Sequence, residues 1–368
     1  MPVKEPRRTP LYEVHQNLGA TLVDFAGWQM PVRYARESEE HLAVRHQAGL
    51  FDLSHMGEIR VTGRQAGDAL DYALVGAMST LRPGRARYSM ITDAEGGVLD
   101  DLITYRLGED EYLVVANAAN TDVVVDALLE RASGFDAQVI DDSADYALLA
   151  VQGPNAVTIL AGLTDTPLDE IKYFAGYTAT VAGHDVLLAR TGYTGEDGFE
   201  LFLREPERAP ALWEALTDAG RDHGLLPAGL SARDTLRLEA GMPLYGHELS
   251  RDVTPYEAGL GRVVNLEKPA DFVGRSALRA RAEAGPRSRL VGLVGRGRRV
   301  PRQGYAVLHE GARVGTITSG APSPTVGRPI AMAYLDTEID AGGELAVDVR
   351  GRPEPADAVE LPFYRRQR

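Results

Sequence analysis

Cysteine is absent from the 368 residues. That single gap removes disulfides, thiolate nucleophiles, iron–sulfur ligation and cysteine-based zinc sites, and it fits a reducing cytoplasm. Lysine is scarce: Lys4, Lys172 and Lys268 are the only three among 39 basic residues, so Schiff-base chemistry of the pyridoxal kind has few candidates. No apolar run approaches the roughly 20 residues needed to cross a bilayer. The opening MPVKEPRRTPLYEVHQ is basic but has no apolar h-region, so neither export nor membrane insertion is expected. A net charge of −14 argues against general nucleic-acid affinity, which depends on an excess of Lys and Arg on one face. A soluble ligand and an enzyme-like pocket are the better expectation.

The familiar nucleotide and hydrolase signatures are missing too. There is no G-x-x-x-x-G-K-[ST], and GRGR at 295–298 lacks the third glycine and following helix of a dinucleotide fingerprint. G-x-S-x-G does not occur, and the eight histidines show no H-E-x-x-H or comparable spacing, so no metal site is expected. His55 and His247 sit beside glycine-containing loops and are open as single polar contacts.

What is present reads as two or three domains, 44% hydrophobic, with an α+β organisation. Helical stretches at 35–47 and 207–224 alternate irregularly with strand-like runs such as GEIRVTG, ALLAVQG and DVLLAR, without a strict βαβ rhythm. ALRARAEAGPRSR, 277–289, reads as a helix followed by a linker. Beyond it, short apolar runs broken by glycine (RLVGLVG, YAVLHEGARVGTITSG, ELAVDVRGRPEPADAVEL) predict a small β-barrel or sandwich. The chain therefore divides into 1–279 and 287–368.

Three constellations carry more chemistry than structure requires. In YSMITDAEGGVLDDLITYRL, 88–107, a strand over 98–105 puts Val98, Asp100, Leu102 and Thr104 on one face and Leu99, Asp101, Ile103 and Tyr105 on the other. The two aspartates point apart, so they are no facing acid and base pair, and at least one must meet a mostly apolar layer. An edge strand with two solvated acids is the plain alternative. In RTGYTGEDGFEL, 190–201, the loop is more polar than a hairpin needs; alternation in FELFL puts Glu200 on the face of Phe202. A carboxylate in such a wall suits a ligand with two adjacent N–H donors. In PAGLSARDTLRLEAGMPLYGHEL, 227–249, Ser231 and Asp234 predict a capping box and a helix over roughly 232–240, with Arg233 in its first turn. A cation there opposes the helix dipole and wants an acceptor, whereas Arg237, one turn on, would serve as plain structure.

Together with TPLYEVHQNLGATLVDFAGWQMPV, FDLSHMGE, VVANAAN, VQGPNA, DFVGRSAL, GTITSGAPSPTVGRPIAMAY and the terminal LPFYRR, these stretches resemble the aminomethyltransferase (T protein) family of the glycine cleavage system from end to end. The resemblance implies a multi-domain cloverleaf: a folate-binding region of two intertwined α+β subdomains plus a C-terminal β-barrel. It implies transfer of an aminomethyl group from the lipoyl arm of an H protein to tetrahydrofolate, releasing ammonia and forming 5,10-methylene-tetrahydrofolate. By motif, Asp101 matches the family's aspartate near folate N5 and N10, and Glu200 the residue that holds the pterin N3–H and 2-amino group. Arg233, Tyr193, Asn117, Tyr88 and Met56 match other folate-pocket positions, as do Tyr364 and Arg365 near the variable C-terminus. The basic islands RGRRVPR, 296–302, and RRQR, 365–368, are candidates to meet the acidic H protein or the folate glutamyl tail. Two alternatives compete. A folate-binding iron–sulfur assembly factor would carry a K-G-C-Y cysteine that this chain lacks; a folate-dependent demethylase of a small methylated compound is separable only by its turnover.

Overall fold

A computed structural model describes residues 5–339 and 344–366. By internal contacts the chain forms two units. The first comprises Met1–Leu70, Met78–Arg87 and Leu102–Asp234; the second comprises Asp71–Ala77, Tyr88–Asp101 and Thr235–Arg368. Strands Ala86–Thr92 and Val98–Arg106 and helix Leu230–Glu239 each begin in one unit and end in the other.

In the first unit a six-stranded sheet runs Gly176–Val181, His184–Ala189, Gly198–Leu203, Ala147–Gln152, Ala48–Asp52, Leu225–Pro227. All its pairs are antiparallel except the last. ALLAVQ and GFELFL are buried at every position because they lie at the centre, covered on both faces. One face is apolar: Leu149, Val151, Phe199, Leu201 and Leu203 pack with Trp213 and Leu216 of helix Ala209–Gly220. The other face of the strand carries Glu200 and Phe202, and it is this alternation that sets the carboxylate apart from the core.

A five-stranded sheet runs Ala86–Thr92, Val98–Arg106, Glu111–Ala116, Gly57–Thr62, Gln138–Asp141. Its register aligns Glu58, Val115 and Ile103 across three strands. Tyr105, two residues beyond Ile103, therefore projects on the same side as Glu58. The Tyr105 ring meets Phe202 edge to face at 5.5 Å, so this side of the sheet looks onto the Glu200 and Phe202 face.

Helix Leu230–Glu239 begins earlier than the capping box predicts. The Arg233 N–H already bonds the Gly229 carbonyl at 3.1 Å, so Ser231 and Asp234 lie inside the helix. The entry is secured from a distance: Glu40, buried on helix Glu37–His46, accepts Gly229 N–H at 2.8 Å through Oε2. Its Oε1 accepts Tyr34 N–H at 2.6 Å and Ala35 N–H at 2.8 Å. A second buried network joins Asp52 to His15 Nε2 (2.9 Å) and Thr9 Oγ1 (2.7 Å), while the Tyr34 hydroxyl lies 2.9 Å from His15 Nδ1. Burial alone would raise the Asp52 pKa; the donors His15, Thr9 and Ser54 N–H more than offset this and hold it below the usual carboxylate range.

In the second unit the predicted β-domain is a closed six-stranded barrel, Ser288–Gly295, Pro329–Asp336, Ala312–Pro322, Ala306–His309, Leu345–Asp348 and Pro353–Val359. Helix Arg275–Ala284 precedes it and ends at Gly285, φ +78°. The Glu95-Gly96-Gly97 turn forms as expected, with Gly97 N–H on Asp93 Oδ1 at 2.8 Å. A Cβ on Gly97 would lie 2.0 Å from the Arg251 carbonyl oxygen, so no other residue fits there. Arg237 is wholly buried and bonds Glu248 at 2.9 Å and Ser319 at 2.7 Å, the structural role its position suggested. Lys268 is equally structural. Its ammonium donates to the carbonyls of Asp71, Leu74 and Gly76 at 2.5, 2.5 and 2.8 Å and lies 4.4 Å from the Phe272 ring centroid.

Candidate functional site

The polar loop after His184–Ala189 has two jobs. Most of its equipment staples it down. Arg190 grips Asp197 with two bonds of 3.0 and 2.5 Å, Thr194 donates to Gln152 Oε1 at 3.0 Å, and Gln152 Nε2 donates to the Thr191 carbonyl at 3.0 Å. Arg45 reaches in from helix Glu37–His46 to the Thr194 carbonyl at 2.7 Å and Glu196 at 2.9 Å. Gly195 takes φ +83° to turn the chain. This part of the loop is architecture, as a plain glycine-rich turn would be.

The remainder faces another way. Thr191 Oγ donates to Glu200 Oε2 at 2.5 Å, and Tyr105 O–H lies 2.8 Å from Thr191 Oγ and 3.3 Å from Glu200 Oε2. Each hydroxyl has one proton, so a relay from Tyr105 to Thr191 to Glu200 satisfies all three groups and uses only one carboxylate oxygen. Burial raises the Glu200 pKa; the bond from Thr191, the positive charge of Arg233 and the bond from Tyr105 oppose the rise. Arg233 is half-buried with its guanidinium 4.8 Å from the Tyr193 ring centroid. Burial pulls its pKa down, and Tyr193 and Glu200 act against that. Glu200, Arg233 and Tyr193, singled out separately in the sequence, thus form one electrostatic group in the first unit.

Met56 and Asn117 are placed together by register. Gly57 pairs with Ala116, so these two half-buried residues flank the same end of adjacent antiparallel strands. His55, next to Met56, is buried with Nδ1 unpartnered among the described residues; burial and the charge of Arg233 push its pKa down to about 4, so the ring is neutral near pH 7. Glu58 is also buried, 1% exposed, and neither carboxyl oxygen has a hydrogen-bond partner among the described residues. Sequence reasoning missed Glu58, because a lone acid in GEIRVT looks like any solvated strand position.

In the second unit Tyr88 O–H donates to Asp101 Oδ2 at 2.9 Å, and both residues are half-buried. Asp100 is the fully buried member of the acid pair, so the solvated-edge alternative fails for that residue. Tyr364 is half-buried, with its N–H on the Glu239 carbonyl at 2.9 Å; Arg365 is exposed. His247 Nδ1 lies 3.1 Å from the Thr318 carbonyl and 3.2 Å from Ser319 Oγ, a packing contact. The basic segment 296–302 contributes Arg299 and Arg302 to a concavity of about 540 Å³ that Arg350 and Arg352 also line, with Tyr305 in its wall. Arg299 is paired with Glu354 and Arg296 with Asp357. Of the terminal RRQR, residues 367 and 368 lie outside the described residues, as does Lys4. Among the described residues no group of three or more His, Cys, Asp or Glu could hold a metal ion, and no helix is long and apolar enough to cross a membrane.

Residues 11–268 match the family described as GCVT N-terminal domain, and residues 288–365 match the glycine cleavage T-protein C-terminal barrel domain. The chain is 63% identical to the aminomethyltransferase of Streptomyces coelicolor over 369 residues, covering 99% of each chain. It is 49% identical to that of Moorella thermoacetica over 361 residues, covering 98% of each. A crystal structure of glycine cleavage system aminomethyltransferase T from Bartonella henselae superimposes with a TM-score of 0.90 at 39% identity, covering 97% of this chain and 98% of that one.

Proposed function

The chain belongs to the glycine cleavage T-protein family, and from that membership we propose an aminomethyl transfer to tetrahydrofolate, with the roles of the individual residues as follows. The donor is the S-aminomethyl-dihydrolipoyl arm of an H protein. The carbon leaves sulfur and nitrogen and ends bridged between folate N5 and N10; the two protons those nitrogens lose go to the arm's thiolate and to the departing amine, which leaves as ammonia. Glu200 accepts from the pterin N3–H and 2-amino group. Arg233, Tyr193, Asn117, Tyr88 and Met56 contact the folate, with Tyr364 and Arg365 as contributors near the C-terminus. Asp101, held by the Tyr88 hydroxyl, orients the folate near N5 and N10 and manages a proton there.

One observation carries this reading. Among the described residues the two hydroxyls set against Glu200, those of Thr191 and Tyr105, both lie at Oε2. That leaves a desolvated fork with acceptor capacity toward a planar double donor, which a pterin amino edge is. The arginine-lined concavity on the barrel suits an acidic protein surface, and we assign it to H-protein docking. A cytoplasmic location and a division into a folate-binding region, 1–279, and a barrel domain, 287–368, belong to the same proposal. The test is turnover with aminomethylated H protein against turnover with free N-methyl or sulfonium compounds. Activity confined to the latter would replace this reading with a folate-dependent demethylase.

A further inference from the structure

Glu58 is the one carboxylate among the described residues that has both oxygens buried and unpartnered. Its backbone is held on both sides. The Glu58 N–H bonds Ser143 Oγ at 3.0 Å, its carbonyl accepts Asp142 N–H at 2.9 Å, and the ladder pairs it with Val115. The neighbouring cations are committed elsewhere. Arg60, on the same face of the same strand, and Arg204 both pair with Asp142, at 2.6 and 3.4 Å. A desolvated carboxyl with nothing to bond costs a fold several kcal/mol, and such groups survive where a ligand or a water completes them.

The register says which way this one faces. Glu58 stands on the side of its sheet that carries Tyr105, and the Tyr105 hydroxyl lies 3.3 Å from Glu200 Oε2. Glu58 also feels the negative charge of Glu200, after the larger effect of burial and that of Asp141. We infer that Glu58 is a further ligand-binding residue of the pocket centred on Glu200, bonding a second edge of the pterin ring; this rests on the folate reading above.

Its chemistry differs from that of Glu200. Burial, Asp141 and Glu200 all push the Glu58 pKa well up, which favours the neutral acid. A neutral carboxyl offers one O–H donor and one C=O acceptor. A reduced pterin presents adjoining acceptor and donor atoms of that kind along its ring, O4 beside N5–H and N1 beside N8–H. Glu200 reads two donors; Glu58 reads one acceptor and one donor. The pair together discriminates the ring from any ligand that offers only an amidine-like edge.

The experiment uses the full chain and tetrahydrofolate in anaerobic calorimetric titrations, with thermal melts of the unliganded proteins alongside. Glu58→Gln keeps a donor and an acceptor and is expected to bind within threefold of the wild type. Glu58→Leu removes both and is expected to lose at least tenfold in affinity, while melting at or above the wild-type temperature because an unsatisfied polar group is gone. Leucine binding as tightly as glutamate would overturn the inference. So would a glutamine variant as weak as the leucine one, since that would require an ionised acid. An unliganded leucine variant melting several degrees low would show that the carboxyl is satisfied within the protein, and would also overturn it. A wild-type chain that binds no tetrahydrofolate fails differently, because it removes the folate reading itself before any Glu58 variant is compared.

Discussion

Glu200→Gln separates ligand recognition from folding. In the empty pocket the substitution changes little: Thr191 can donate to the amide oxygen in place of Oε2, from the same 2.5 Å position. The lost negative charge removes a neighbour of Arg233, but it also removes a desolvated carboxylate whose pKa burial has already raised, and the two effects oppose each other. The melting temperature should therefore stay within a few degrees. For the ligand the change is severe. The amide presents one acceptor and one donor where the pterin edge presents two donors, so at least one charge-assisted bond is lost and a donor faces a donor. At about 1.5–3 kcal/mol for a bond to a charged group, the expected loss is roughly 3 kcal/mol, or about 100-fold in Kd. The raised pKa adds a pH signature. Double acceptance needs the ionised acid, so wild-type affinity should fall as pH is lowered through the Glu200 pKa, whereas the glutamine variant should lack that limb. Calorimetric titration across pH, paired with a thermal melt, reads both. A variant that binds within threefold of wild type, or that keeps the acid limb, would refute the argument.

Asp101→Asn should retain folate affinity and lower turnover strongly, since the Tyr88 hydroxyl can still donate to the amide oxygen but the proton-handling group is gone; equal rates in a single-turnover assay would remove Asp101 from the chemistry. Asp52 has a folded pKa below its unfolded value, so it contributes stability that is full above pH about 4 and is lost as pH falls through the folded pKa. Asp52→Asn should therefore weaken the protein at neutral pH and flatten the acid limb of stability against pH, and denaturant titrations that show parallel limbs would contradict this. Lys268→Met strips the donors from three carbonyls, and at about 1–3 kcal/mol per unsatisfied group it should lower the denaturation midpoint clearly; an unchanged midpoint would mean that water replaces the ammonium at no cost. Reversing Arg302 and Arg350 to Glu should weaken H-protein binding and reduce its salt dependence, with folate affinity untouched; salt-insensitive binding in the wild type would place the docking surface elsewhere.

Local alternation made much of the candidate site's layout legible. Period-2 patterning placed Glu200 beside Phe202 and separated Asp100 from Asp101, because a strand buried on both sides still sorts its side chains by parity. Glycine spacing gave the barrel, since each turn between its short strands needs a residue free of steric limits. Partners far apart in sequence were not legible. The cap of helix Leu230–Glu239 comes from Glu40, 189 positions away, and it moved the helix start past a locally convincing S-x-x-D. Nothing in ESEEHLAVRH marks Glu40 as the one acid of its helix turn that is buried rather than solvated. Likewise the bonds that fasten the 190–197 loop run to Arg45 and Gln152, so the loop's composition alone could not divide staples from the groups set against Glu200.

Glu58 and Glu200 turn that division into a physical argument about specificity. Both acids are buried, both have raised pKa values and among the described residues neither has a carboxylate-to-cation bond of its own, yet the groups around them differ. Glu200 has a hydroxyl donating into it and the positive charge of Arg233 nearby, which together favour the anion. Glu58 has no donor among the described residues and feels the charges of Asp141 and Glu200, which favours the neutral acid. Each leaves the unliganded protein with an electrostatic cost, and a ligand recovers that cost only by meeting both demands at once: two donors for the anion, an acceptor and a donor for the acid. The glutamine substitutions test this directly, because the same chemical change should weaken binding about 100-fold at position 200 and leave it nearly intact at position 58. Equal losses at the two positions would mean that the acids share one protonation state, and the proposed division of labour between them would be wrong.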